Sequence, residues 1–273
     1  MTQDIWLLTH AYLQPVAQLQ ALVDTAAAGI PNEEPCVPIW DDYTADFQEG
    51  MPLLESSAAI IDLPSVASTL MLLIEKLASA PLPGKVAQET SALDSELCCD
   101  PDAPRLCAAW LLDKDIYASS YPGLLRYFGW TVLARHFRPV VDAFAGWREE
   151  ERWLRSYCPT CGSRPSMAQL IGTDQGRLRL LACGCCKTRW RYQRTGCAFC
   201  ENQNDHRLAL LAVEGEGGLR IDYCEACRGY LKTYDGEGSE NVLLADWTSL
   251  HLDVIACDRG LKRLAASLYT LPI

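Results

Sequence analysis

The run "CPTCGSRPSMAQL" at residues 158–170 decides how the rest of the chain is read. Two cysteines stand three positions apart, a glycine follows, and a short apolar run begins. Such a pair is a metal knuckle, a redox dithiol or half of a disulfide, and what repeats downstream chooses among them. Three more pairs follow, Cys183/Cys186, Cys197/Cys200 and Cys224/Cys227, so that all four lie within 70 residues. At this cysteine content chance supplies about one. The spacing also repeats: 21 residues separate the first and second pairs, 23 the third and fourth, and ten the two sets. Each set reads knuckle, strand, turn, strand, knuckle, an internal duplication of about 40 residues.

A tetrahedral ion needs four ligands that one short loop cannot supply. The two-residue spacer lets a tight turn aim two sulfurs at one point, and a hairpin brings a second such turn opposite. Gly162 suits the position after the knuckle, where the backbone turns left-handed. All-thiolate tetrahedra select zinc or iron. A thioredoxin-like dithiol belongs to a βαβ unit with one pair, not to four pairs in hairpins. Sequential pairing, with Cys158, Cys161, Cys183 and Cys186 in one set and Cys197, Cys200, Cys224 and Cys227 in the other, closes the shorter loops at lower entropic cost; an interleaved arrangement stays open. Cys185, inside "CGCC", is read as a bystander pointing away. Cys36, Cys98, Cys99, Cys107 and Cys257 are read as buried small apolar residues, with the adjacent Cys98 and Cys99 as a reactive alternative.

Composition divides the chain at the same place. Residues 1–157 carry 22 acids and 10 bases, net −12, whereas residues 158–273 carry 13 acids and 14 bases, net +1. Ten of the 14 cysteines lie in the second part. The opening "MTQDIWLLTHAYLQP" has no basic flank before a long apolar core and is not read as a signal peptide. The apolar run "LMLLI" is too short to span a bilayer. The expected compartment is therefore the reducing cytoplasm, where paired cysteines more often hold metal than form disulfides.

The first part reads as helical. Val66, Leu70, Leu73 and Leu77 recur at helical spacing, with Ser65 as the N-cap; Leu125, Phe128, Val132 and Leu133 mark another face. Pro139 should break the chain before "PVVDAFAGWREEERWLRSY" resumes as a helix. Residues 28–64 and 81–105, rich in proline, glycine and acids, read as long connections. In the second part "MAQLIG", "RLRLLAC", "TRWRYQR", "RLALLAV" and "LRIDYC" read as strands around the turns "GTDQG" and "EGEGG". Leu250, Val254, Leu261, Leu264 and Leu268 then mark a long C-terminal helix, weakened by Gly260.

Arg177, Arg179, Lys187, Arg189, Arg191 and Arg194 form a run without acids, interleaved with Trp190 and Tyr192. Three readings compete: a solvated or interdomain face, a protein-partner surface, or a strand that grips nucleic acid. The sequence pI near 4.8 opposes a polyanionic partner. His10, His136, His206 and His251 are read as surface or satisfied core residues rather than catalysts. No catalytic residue or organic cofactor is assigned, and the chain is not read as an enzyme.

The runs "CPTCGSRP", "CGCCKTRWRYQRTGCAFC", "YCEACRGYLKTYD" and "DWTSLHLDVIACDRG" together resemble the FdhE family of formate dehydrogenase accessory proteins, over residues 157–262. Over residues 1–150 the likeness is only helical character and length. The resemblance implies an α+β multidomain fold: an all-α domain at 1–156, two tandem rubredoxin-like or zinc-ribbon β modules at 157–194 and 195–235, and a C-terminal helix at 246–270. It implies two iron ions, with zinc possible in recombinant material, on the eight paired cysteines. It implies a chaperone-like cytoplasmic maturation factor that contacts the formate dehydrogenase catalytic subunit, without nucleic acid or membrane insertion. Arg228, Tyr230, Lys232 and Asp253 are the expected partner surface. A rubredoxin-type one-electron carrier and, further off, a zinc-ribbon nucleic-acid module are the alternatives.

Overall fold

In the computed structural model, residues 1–31, 35–172, 176–204, 207–216 and 218–269 are described. His206 and the centre of the "GTDQG" turn lie outside them. Eight helices come first: α1 (Gln3–Thr9), α2 (Gln14–Ala28), α3 (Trp40–Glu49), α4 (Leu63–Ala78), α5 (Gly84–Cys98), α6 (Ala103–Trp110), α7 (Pro122–His136) and α8 (Arg138–Trp147). Six strands follow, β1 (Pro165–Ile171), β2 (Leu178–Cys183), β3 (Arg189–Tyr192), β4 (Leu208–Ala212), β5 (Leu219–Cys224) and β6 (Tyr230–Asp235), and then α9 (Glu240–Leu243) and α10 (Leu250–Asp258).

α4 is the hub of the helical part, and its expected stripe of Val66, Leu70, Leu73 and Leu77 is fully buried. The N-cap is Asp62, not Ser65, whose own amide donates to the Asp62 carboxylate at 3.1 Å. Pro64 occupies the second helical position, where its missing N–H costs nothing. Leu125, Phe128, Val132 and Leu133 of α7 are buried as expected. Pro139 lies in the first turn of α8 and starts that helix.

The two expected connections contain helices. α3 lies in the first and α5 in the second. Each buries few side chains, Tyr43 and Phe47 from α3, and Thr90, Leu93 and Leu97 from α5, so their polar faces dominate the composition. α8 stops at Trp147 because Arg148 is extended, and "REEERWLRSY" is a strap rather than a helix. Trp153 pins the strap: its ring stacks on Phe47 at 5.4 Å and its Nε1 donates to the Tyr157 carbonyl.

The two expected ribbons share one six-stranded sheet, in the order β3-β2-β1-β6-β5-β4. Within each ribbon the strands are antiparallel, while β1 and β6 pair in parallel from Met167↔Lys232 to Leu170↔Asp235. If β4, β5 and β6 repeat β1, β2 and β3, the sheet is a head-to-tail repeat, and the first strand of one ribbon meets the third strand of the other. β6, the third strand of the second repeat, is the strand the alternation reading did not identify. Trp190 and Tyr192 face the core and the Trp190 Nε1 donates to the Arg155 carbonyl, so these rings hold the strap and offer no stacking platform.

Two cores result. One joins the helices to β1–β3 and includes Cys158, Cys183, Cys185 and Cys186. The other joins Trp6, Leu13 and Ala17 to the second ribbon and to α9 and α10. The N-terminal segment therefore leaves the helical part to cover the far end of the sheet. α10 is shorter than its leucine period: Gly260, at φ +66°, ends it, and Val254 is exposed while Leu252 and Ala256 are buried. The chain after it runs beside the fourth knuckle, where Lys262 exchanges backbone hydrogen bonds with Arg228 and Tyr230. Truncating Trp190 to alanine should lower stability by about 3–5 kcal/mol, read as a drop in the urea midpoint of metal-loaded protein.

Candidate metal centres

The four knuckles share one backbone. In each, the residue after the second cysteine is left-handed: Gly162, Lys187, Glu201 and Arg228, with φ of 75°, 62°, 56° and 60°. In the first, third and fourth, that residue's amide donates to the carbonyl of the first cysteine at 2.8–3.0 Å. The first cysteine's own amide is received by a carbonyl just past each turn, from Ser163, Thr188, Asn202 or Gly229. Only one of the four positions is glycine, so the other three carry strain of about 1–2 kcal/mol each.

The thiols meet in two sets of four, Cys158, Cys161, Cys183 and Cys186, and Cys197, Cys200, Cys224 and Cys227, each with all sulfurs within 4.8 Å of one another. Pairing is sequential. In the first set Cys158 Sγ lies 3.5 Å from Cys186 Sγ, and Cys161 Sγ lies 3.5 Å from Cys183 Sγ. In the second, Cys197–Cys227 and Cys200–Cys224 are 3.6 and 3.9 Å apart. A disulfide needs about 2.05 Å. A tetrahedron with metal–sulfur bonds of about 2.3 Å has edges of about 3.8 Å. The donor set and its spacing therefore fit a metal ion, and both clusters can hold one.

The centres differ in setting. In the first set Cys158, Cys183 and Cys186 are buried; in the second Cys200 is exposed and Cys227 half-buried. Gly184 of the second knuckle packs against Trp130 of α7, where an added Cβ would come within 3.1 Å of the ring. Phe199 N and Gly229 N donate to Cys197 and Cys227 sulfurs at 3.4 Å. At the first centre the Thr188 hydroxyl lies 3.1 Å from Cys186 Sγ and 2.7 Å from the Thr160 hydroxyl, so a thiolate there receives a buried relay. No spacing rule signals these two threonines.

Cys185 does not point away into solvent or an unrelated pocket. It is buried, and its contact with Cys161, followed by burial, pushes its thiol well up. It is a fifth thiol against the first centre, outside the four that converge. Of the other five cysteines only Cys107 is buried; Cys36, Cys98, Cys99 and Cys257 are exposed, because each sits on a helix end, an outward face or a connection.

The expected partner surface is mostly interior. Tyr230, Lys232 and Asp253 do meet, but under cover: Tyr230 Oη donates to Asp253 at 2.6 Å and Lys232 Nζ to Asp253 at 2.7 Å. Lys232 is only 1 % exposed and also lies 2.6 Å from Asp246, which with Asp253 is held by Arg263 at 2.7 Å. Burial pushes the Asp246 carboxyl up, but Lys232 and Arg263 outweigh it and hold it well below the usual carboxylate range. The network fastens α10 to β6. Arg228 alone is exposed, donating to the Arg259 carbonyl at 2.6 Å. In the basic run Arg191 contacts Glu151 at the surface, Arg189 contacts Gln169, Arg179 the Gly196 carbonyl and Arg177 Asp235, while Lys187 and Arg194 are exposed.

A helical part fused to twin ribbons, each closed by four convergent thiols, defines a two-centre metal-ribbon protein. Residues 157–194 match the family model for the FdhE central domain. A protein FdhE homolog of Aquifex aeolicus is 34% identical over 142 residues, covering 50% of this chain and 49% of the relative. The homolog of Pseudomonas aeruginosa is 35% identical over 128 residues, covering 43% and 40%. Protein FdhE of Salmonella arizonae is 32% identical over 183 residues, covering 65% and 57%. The chain thus spans about half the length of the curated relatives it matches. The crystal structure of the FdhE protein from Pseudomonas aeruginosa shares the fold, with a TM-score of 0.61 at 23% identity over 94% of this chain and 88% of that one. The chain is thus similar to FdhE proteins over these stretches and shares their fold.

Two outcomes follow from the geometry. Lys187→Gly relieves a left-handed lysine and should raise the stability of metal-loaded protein by about 1 kcal/mol in urea unfolding. Lys232→Met leaves two buried carboxylates to Arg263 and should cost about 3–5 kcal/mol. Because the Asp246 value is depressed, that gap is full above the unfolded value of about 3.9 and closes as the pH falls through the lower folded value, which urea midpoints over a pH series would show.

Proposed function

We propose that this chain is an accessory factor for the assembly of active formate dehydrogenase, acting in the cytoplasm on the immature catalytic subunit. Similarity to FdhE proteins and the twin four-thiol centre carry the reading. No helix among the described residues is long and apolar enough to cross a membrane. In this reading Cys158, Cys161, Cys183 and Cys186 hold one iron ion and Cys197, Cys200, Cys224 and Cys227 the other. Each ion offsets the mutual repulsion of four thiolates and so lets its ribbon close. The role is to hold a client, not to transform a substrate, and the division at residue 157 separates the client-holding ribbons from the helices that brace them. In this reading Arg228, exposed beside the fourth knuckle, contributes to the client surface.

A second reading, a one-electron carrier, is favoured by one observation: the second centre has an exposed sulfur, Cys200. Four thiolates on iron supply one-electron chemistry when bound. Native-host protein purified without oxygen and assayed for iron and zinc separates the two. Stoichiometric zinc without iron would remove the carrier.

The accessory reading is tested by complementation. In a host lacking its own FdhE, the wild-type chain should restore formate dehydrogenase activity and capture the catalytic subunit under anaerobic reducing conditions. Cys183→Ser and Cys227→Ser should each lower bound metal from two ions to one and abolish rescue. A chelator should empty the exposed second centre before the buried first. Full rescue by both metal-poor variants would overturn the reading.

A further inference from the structure

Three residues that no metal motif connects come together at the far end of the sheet. His10 follows α1, Glu216 sits in the β4–β5 turn, and His251 lies in the first turn of α10. One ligand atom from each falls within a 4.8 Å cluster. The Nε2 atoms of His10 and His251 lie 2.9 and 2.8 Å from the same carboxylate oxygen, Glu216 Oε1. We propose that His10, Glu216 and His251 form a third metal site, for a divalent first-row transition ion bound by nitrogen and oxygen without sulfur.

The hydrogen bonds around the triad are those of a ligand set. His10 Nδ1 is 3.0 Å from the Trp6 carbonyl, which can only accept, so in the neutral ring Nδ1 carries the proton and Nε2 presents its lone pair. Fixing a ligand histidine through its other nitrogen to a backbone carbonyl is the usual support of a metal site. The Trp6 ring stacks on His10 at 3.8 Å, and Trp6 Nε1 is tied to the Thr248 carbonyl, so the imidazole is held in place. Across from it, His251 Nε2 faces Glu216 Oε1, while His251 Nδ1 and Glu216 Oε2 are buried without a hydrogen-bond partner among the described residues. The Glu216 side chain is only 9% exposed.

A cation on the Glu216 carboxylate would give the buried Oε2 the partner it lacks. The 2.8–2.9 Å spacing is close to the edge of about 3.0 Å expected for an octahedron with bonds near 2.1 Å. Two imidazoles and one carboxylate on one face leave further positions for water or an incoming donor. The ion would fasten the N-terminal segment, the second ribbon and α10 together. The inference is independent of the formate dehydrogenase reading.

The test uses the full chain with both thiolate centres filled with zinc, titrated with cobalt(II) under anaerobic conditions. Equilibrium dialysis should show one additional ion, with weak d–d absorption and no thiolate-to-cobalt charge transfer. The ion should raise the melting temperature of the wild type. Glu216→Gln and His251→Asn, with zinc content unchanged at two, should weaken the third ion by tenfold or more and lose that rise. Binding that stops at two ions, cobalt that enters only with thiolate charge transfer, or equal binding by both variants would overturn the site. Each readout is metal content or spectrum, so failure of client rescue leaves this result standing.

Discussion

Four sulfurs held within 4.8 Å of one another are the constraint on which each ribbon rests. As thiolates they repel, and as buried thiols they lack partners; an ion in the middle removes both problems and closes the hairpin. The rest of each knuckle is arranged to permit that closure. The repeated left-handed residue turns the chain, and the amide that follows the turn returns to the first cysteine. Nature's usual economy would place glycine at all four turns, yet Lys187, Glu201 and Arg228 hold three of them. Strain of that kind persists only where the surroundings over-determine the backbone, and four metal bonds per centre would supply the over-determination.

How much of this the chain revealed before folding depended on the range of the interaction. The eight ligands were legible because each pair is a local spacing and each set closes a loop of fewer than 30 residues. The stripe of α4 was legible because it is buried along one whole face. Helices α3 and α5 were not, since two or three core contacts left their composition polar. β6 was read for its family likeness, not as a strand: Lys232 and Thr233 are buried by partners from α10 and β5 that no alternation rule anticipates. The triad of His10, Glu216 and His251 was invisible, because its members are 206 and 35 positions apart and only the wrap of the N-terminal segment unites them.

The interior charges show the same dependence on context. Lys232 and Asp253 belong to the runs that carry the family likeness, and exposure was the natural expectation for charged side chains. The structure buries both, because each finds its opposite: one ammonium and one guanidinium face two carboxylates and a tyrosine. That balance lets a charged cluster replace apolar packing between β6 and α10, and it fixes their relative orientation more tightly than interchangeable aliphatic contacts would.

The head-to-tail sheet explains why two centres with one ligand set have unequal exposure. A repeat joined by translation, not by a twofold axis, gives its two units different neighbours. The first ribbon has the strap on its outer strand and α7 against its second knuckle, so its sulfurs sit in the larger core. The second ribbon is flanked by the first on one side only, and Cys200 remains in solvent. Duplication therefore supplied two chemically equal cages, and the addition of helices to one side divided them into a buried brace and an accessible centre.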